Sequence, residues 1–215
     1  LDRMTRALGE FEVAGVAIFA LTGALVAARK GMDPFGFVLL ATVTGVGGGT
    51  LRDVLLGHGI FWVWDPSDVI ACLIVALGAW LLAYLKPGVL EGWGGRKLLI
   101  WADAAGFSLF AVIGTLKGLD AAAPVLSAVA LGAMTATFGG ILRDILAGDR
   151  PMLLWGRDFY VTAATAGAAT TAALTGLGLS AALVMLGGFV VCFGLRAGSL
   201  LFGWSFPSLP HKTPD

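Results

Sequence analysis

The sequence predicts an all-α membrane protein of seven transmembrane helices, built as two inverted three-helix repeats plus a seventh helix. Three observations carry this. Apolar residues make up 58% of the 215-residue chain and charged residues only 13%, well outside the usage of soluble domains. The charges gather in short connections between apolar runs, each near the roughly 20 residues that a bilayer crossing needs. One motif occurs twice at a fixed spacing, with three spans in each copy. The formal net charge is zero, so nothing points to a nucleic-acid partner. The expected surroundings are a lipid bilayer.

The spans fall at 10–29, 35–56, 67–85, 98–118, 123–146, 158–177 and 180–202. The apolar run of the first, Val13 to Ala28, lacks a cleavage-site pattern and reads as a retained span. Gly31-Met32-Asp33-Pro34 breaks it from the second, and Asp65-Pro66 opens the third. Lys86-Pro87-Gly88 and Glu91-Gly92-Trp93-Gly94-Gly95 make the longest loop. Asp120 and Pro124 precede the fifth span, and Gly148-Asp149-Arg150-Pro151 follows it. These are the residues that end helices and make turns. The sixth span is rich in Ala, Gly and Thr, which suits close packing against other helices more than lipid. The chain is read as one membrane domain: repeat one over 10–85, repeat two over 98–177, the seventh helix over 180–202 and a tail over 203–215.

Basic residues orient the spans. One side collects Arg29, Lys30, Lys86, Arg96, Lys97, Arg150, Arg157 and Lys212; the other collects Arg3, Arg6 and Lys117. The prediction is a multi-pass cell-membrane protein with an external N-terminus and a cytoplasmic C-terminus. Trp62 and Trp64 on one side, and Trp93, Trp101 and Trp155 on the other, read as interfacial anchors or as buried aromatics.

The repeat is explicit. TGVGGGTLRDVLLG (44–57) aligns with TATFGGILRDILAG (135–148) at an offset of 91, with eight of fourteen positions identical. The same offset lays EVAGVAIFALTG (12–23) on DAAGFSLFAVIG (103–114), so that Glu12 meets Asp103, and Trp64 meets Trp155. Three spans per copy make the second copy enter from the opposite face. Transport proteins are often built this way, with their sites at the repeat interface.

Gly47, Gly48 and Gly49, and again Gly139 and Gly140, sit inside apolar spans. Two readings stand side by side. The glycines loosen the helix and free carbonyl oxygens toward a wet path, where they replace part of a cation's hydration shell; or they permit close helix crossing. Thr42, Thr44, Thr50, Thr135 and Thr137 add hydroxyl oxygens nearby. Glu12, Arg52 and Asp53 gather at one mouth, and Asp103, Arg143 and Asp144 at the other. They read as a neutralising network, a charged vestibule, or both. Lys117 aligns with Val26 and has no counterpart in kind. It is read first as a snorkelling residue, then as a cation opposing permeant cations or sensing voltage.

Cys72 and Cys192 lie mid-span and read as small buried hydrophobes; Cys and His are too few for a structural metal site, and no cofactor is expected. His58 in a loop and His211 in the tail read as solvated residues. No nucleophile–base pair stands out, and Asp53 and Asp144 each follow an arginine, so an enzyme is not expected.

GGGTLRD, GGILRD, EVAG, DAAG and ARKGMDPFG together resemble the prokaryotic trimeric intracellular cation (TRIC) channel family, a sequence family also described as uncharacterised membrane proteins and as glycine transporters. The resemblance implies a homotrimer with a pore in each subunit, permeable to potassium and sodium. It implies glycine kinks at Gly47–Gly49 and Gly139–Gly140 in the second and fifth spans, lining the path, with Arg52, Asp53, Arg143 and Asp144 as the family's charged pairs. Phe138 stands where the first copy has Gly47. A monovalent cation channel is the first functional expectation, and a secondary transporter of a small zwitterion such as glycine the alternative.

Overall fold

The computed structural model describes residues 2–151 and 159–204, with side chains described from residue 9. Among the described residues there are eight helices and no strand. They are α1 (Asp2–Arg29), α2 (Pro34–Leu56), α3 (Phe61–Trp64), α4 (Ser67–Leu85), α5 (Trp93–Asp120), α6 (Val125–Leu146), α7 (Tyr160–Gly176) and α8 (Ala181–Phe202). Six of them, all but α3 and α7, are long and apolar enough to cross a membrane. α7 has 17 residues, about 25 Å at 1.5 Å per residue, against a hydrocarbon core of about 30 Å. Trp155, Arg157, His211 and Lys212 lie outside the described residues, as do the side chains of Arg3 and Arg6.

Local chemistry sets the helix ends. Asp33 caps α2 by accepting from the Gly36 backbone N–H at 2.7 Å, and Pro34 follows at the first position, where its missing N–H costs nothing. Gly57 ends α2 at φ 66° with its N–H on the Asp53 and Val54 carbonyls. Asp65 accepts from the Ser67 backbone at the start of α4, and Ser67 holds that carboxyl below its ordinary range. The short α3 and the early start of α5 at Trp93 were not anticipated: four residues are too few to carry a periodicity.

The helix packing repeats. α1, α2 and α4 pack mutually, and so do α5, α6 and α7; α8 lies on α5 and α7. The two trios meet through α1 on α5 and α2 on α6. Both junctions are antiparallel. Phe19 meets Phe110 in a tilted ring contact at 5.1 Å and lies against Gly106, while Gly15, one turn earlier, lies against Phe110. Lys30 pairs with Asp149 at 2.5 Å, so the α1–α2 turn and the C-terminal end of α6 share one end of the bundle. Asp53, at the far end of α2, lies toward the other.

The α2–α6 junction bears on the two readings of the glycines. Helical structure is continuous from Pro34 to Leu56 and from Val125 to Leu146, straight through the glycines. No carbonyl is released by a broken turn. Gly48 and Gly139 instead remove side chains where two helices touch. A Cβ on Gly48 would strike the Thr135 carbonyl oxygen, and one on Gly139 that of Thr44. Residues 44 and 48 on one side, and 135 and 139 on the other, obey the same offset of 91. Small residues four apart are how membrane helices approach closely.

Candidate functional site

Two buried ionic clusters flank the α2–α6 crossing. Glu12 and Thr22, which belong to different clusters, are ten residues apart on α1, about 15 Å along the axis.

The first cluster joins α1, α2, α3 and α5. Arg52 is 1% exposed. Its Nε donates to Asp53 Oδ1 at 2.8 Å and its Nη2 to Glu12 Oε1 at 3.2 Å. Lys117 Nζ, from the last turn of α5, donates to both Glu12 oxygens at 2.7 and 2.6 Å. Asp53 Oδ2 accepts from the Phe61 backbone N–H at 2.9 Å, which fixes the start of α3. The Phe61 ring then lies 5.6 Å from the Arg52 guanidinium carbon and 5.3 Å from Lys117 Nζ, within cation–π range. Lys117 is thus an ion-pair partner of Glu12, and its side chain is 29% exposed.

The second cluster repeats the core of the first at the offset of 91. Arg143 Nε donates to Asp144 Oδ1 at 2.9 Å and Nη1 to Asp103 Oδ1 at 2.9 Å. Its periphery differs. Nη1 also reaches Thr22 Oγ1 of α1 at 3.0 Å. The Tyr160 hydroxyl, on α7, donates to Asp103 Oδ2 at 3.1 Å. Arg196, on α8, stacks its guanidinium 4.6 Å over the Tyr160 ring. A lysine closes the first cluster; a tyrosine and an arginine from outside the repeat's common motif close the second. Unpaired charges would not be tolerated at such burial, whereas hydrogen-bonded pairs are.

Between the clusters the threonines mostly bond to their own helices. Thr44 donates to Leu40, Thr50 to Val46, Thr135 to Leu131, and Thr137 to Ala133 and Met134. Thr50 also accepts from Trp62 Nε1 at 2.8 Å. Thr42 Oγ1 is buried without a hydrogen-bond partner among the described residues. Thr44 and Thr135 sit at the crossing with Gly48 and Gly139; Thr42 and Thr50 lie just beyond it on α2, and Thr137 lies between Thr135 and Gly139 along α6. Gly47 faces Leu142, Gly49 the Phe61 ring, and Gly140 the Tyr160 hydroxyl. Cys72 and Cys192 are free and fully buried.

Sequence reasoning missed Thr22, Phe61, Tyr160 and Arg196, and also Asp68, a buried carboxylate in the first turn of α4. Arg196 and Asp68 were visible as charges within apolar helices, which is itself a functional signal. Thr22, Phe61 and Tyr160 carry no such mark.

The arrangement is shared with known proteins. A family model described as glycine transporter matches residues 10–84 and 100–176, the two halves that the contacts repeat. A UPF0126 inner membrane protein of Escherichia coli, YadS, is 41% identical over 157 residues, covering 73% of each chain. The Bacillus subtilis membrane protein YvgT is 32% identical over 200 residues, covering 91% of this chain and 93% of that one. The solved structure of the TRIC trimeric intracellular cation channel orthologue from Rhodobacter sphaeroides superposes with a TM-score of 0.84 at 45% identity, covering 92% of this chain and 99% of that one. The chain belongs to the TRIC family. A second TRIC cation channel structure, at 28% identity, aligns with a TM-score of 0.81 over 96% of this chain and 98% of that one. TRIC proteins are membrane channels, not enzymes, and this member is a multi-pass membrane protein.

Proposed function

We propose that this TRIC-family chain is a monovalent cation channel, passing potassium and sodium, with one path in each subunit along the junction of α2 and α6. The observation that carries the reading is the duplicated crossing, Gly48 on Thr135 and Thr44 on Gly139, flanked at both ends by an arginine held between two carboxylates. α7 counts as the sixth of seven spans, and the trios form inverted repeats within one membrane domain, with the N-terminus external and the C-terminus cytoplasmic. The antiparallel junctions and the Lys30–Asp149 pair support that arrangement. The assembly is a homotrimer, as the name of the Rhodobacter orthologue has it for that protein.

Conduction requires the crossing to part. The hydroxyl oxygens of Thr44, Thr50, Thr135 and Thr137 keep lone pairs after bonding to their helices, and with the Thr42 hydroxyl they stabilise a passing cation weakly. Gly47, Gly48 and Gly139 keep that surface free of bulk, while Gly49 and Gly140 make room for the Phe61 ring and the Tyr160 hydroxyl beside the clusters. Arg52–Asp53 and Arg143–Asp144 hold the helix ends while the middle moves. Lys117, drawn off Glu12, opens the approach at the α2 C-terminal end; a full charge moved across the membrane contributes about 2.3 kcal/mol per 100 mV.

The family description favours one second reading, carriage of a small zwitterion such as glycine. Bilayer recording of the purified protein under a potassium/sodium gradient separates the two. Unitary potassium currents mark a channel; saturable amino-acid flux in liposomes without unitary steps marks a carrier.

A further inference from the structure

The four-residue α3 is fastened to the C-terminal end of α2 at three points. The Phe61 backbone N–H donates to Asp53 Oδ2 at 2.9 Å, the Phe61 ring lies over Gly49, and Trp62 Nε1 donates to Thr50 Oγ1 at 2.8 Å. The first two belong to the ionic cluster. The third reaches another side of the helix. Thr50 follows Gly47 by three residues, so the two positions are neighbours on the surface of α2, and Gly47 faces Leu142 of α6. Thr50 thus borders the α2–α6 junction about 4.5 Å beyond Gly47 along the axis, and the Trp62 indole is held at that border. Trp62 is half-buried against the core, whereas Trp64, two residues on, is exposed as an interfacial anchor is. The pair is confined to one end. At the offset of 91, Ile141 replaces Thr50 and Leu153 replaces Trp62, so acceptor and donor are lost together. Leu153 lies outside the described residues.

We infer that Trp62 is a lid over the α2 C-terminal mouth of the path, latched to Thr50 in the closed channel and released when the channel opens. This rests on the channel reading above. An indole N–H only donates. Latched, it engages an oxygen of the path and brings a partially positive hydrogen, which repels a cation, to the mouth. Unlatched, it returns that oxygen to the passing ion. Phe61, bonded to Asp53 and packed on Gly49, is the fixed point from which the neighbouring side chain swings. A tryptophan needed only as a membrane anchor would leave its N–H to water and headgroups.

The test is single-channel recording in potassium chloride of the full chain and three variants, with melting in detergent alongside. Trp62→Phe keeps a ring and removes the N–H. Thr50→Val keeps the shape and removes the oxygen. The third variant combines them. The net strength of one such bond corresponds to roughly a two- to tenfold change in an equilibrium. Each single variant should therefore shorten closed times and raise open probability by that factor. The double variant should go no further than either single, because the same bond is lost in all three. Closed times unchanged in Trp62→Phe overturn the inference, even where it melts earlier, since a purely structural bond shows only in stability. So does a rise in Trp62→Phe that Thr50→Val does not share, and so do single effects that multiply in the double. Should Trp62→Phe not assemble, Thr50→Val reads the same bond from its other side and decides alone. A wild type without unitary current is a different failure, that of the channel reading, and removes the inference with it.

Discussion

Gly48 of α2 lies against the backbone carbonyl of Thr135 of α6, and 91 residues on in each case Gly139 lies against that of Thr44. Two membrane helices meet there at a distance that leaves no room for a methyl group. The first consequence is steric. Gly48→Ala and Gly139→Ala should each destabilise by about 1–3 kcal/mol, the usual cost of overpacking. Gly140→Ala should be far milder, since its Cβ would sit 3.4 Å from the Tyr160 hydroxyl, at ordinary contact. Thermal melting in detergent reads all three; equal losses would deny the crossing its special tightness.

The ionic clusters make a second prediction. Arg143→Met takes the guanidinium away from Asp103 and Asp144, and should cost about 3–5 kcal/mol, as breaking a buried pair does. Combining it with Asp103→Asn should recover part of that loss, because the buried negative charge goes with its cation. A double-mutant cycle on melting curves measures the coupling, and strict additivity would mean that the 2.9 Å bond contributes nothing.

Lys117 gives the third. It donates to both Glu12 oxygens, and its side chain is 29% exposed, so it is the part of the first cluster most free to leave. Lys117→Gln keeps the length and removes the charge. Voltage dependence of open probability should become shallower, by about 2.3 kcal/mol per 100 mV for each full charge that no longer moves. An unchanged slope in bilayer recordings would leave Lys117 a purely structural partner of Glu12.

Much of this was legible in the sequence. Arg52–Asp53 and Arg143–Asp144 announced their clusters because charges in apolar helices need partners, and the offset of 91 tied each to its acid, Glu12 or Asp103. The glycines were harder. A GG pair is compatible with a broken helix or a close crossing, and only neighbours decide between them. Here Thr44 with Gly48, and Thr135 with Gly139, form small-residue pairs four apart, a spacing that favours crossing. The partner helix supplies what no local pattern contains. The same limit hid Tyr160 and Phe61, whose roles depend on which charges fold against them.

The most direct test of the account asks whether the α2–α6 junction must part for ions to pass. A Cβ on Gly47 would lie 2.7 Å from Leu142 Cδ1 and 4.0 Å from its Cγ, so cysteines at these two positions are placed to bond once the leucine is removed. The double variant Gly47→Cys/Leu142→Cys should carry unitary potassium current under reductant, lose it on oxidation and regain it on reduction, with both single variants indifferent to oxidant. Current that persists unchanged while mass spectrometry shows the bridge formed would contradict the account.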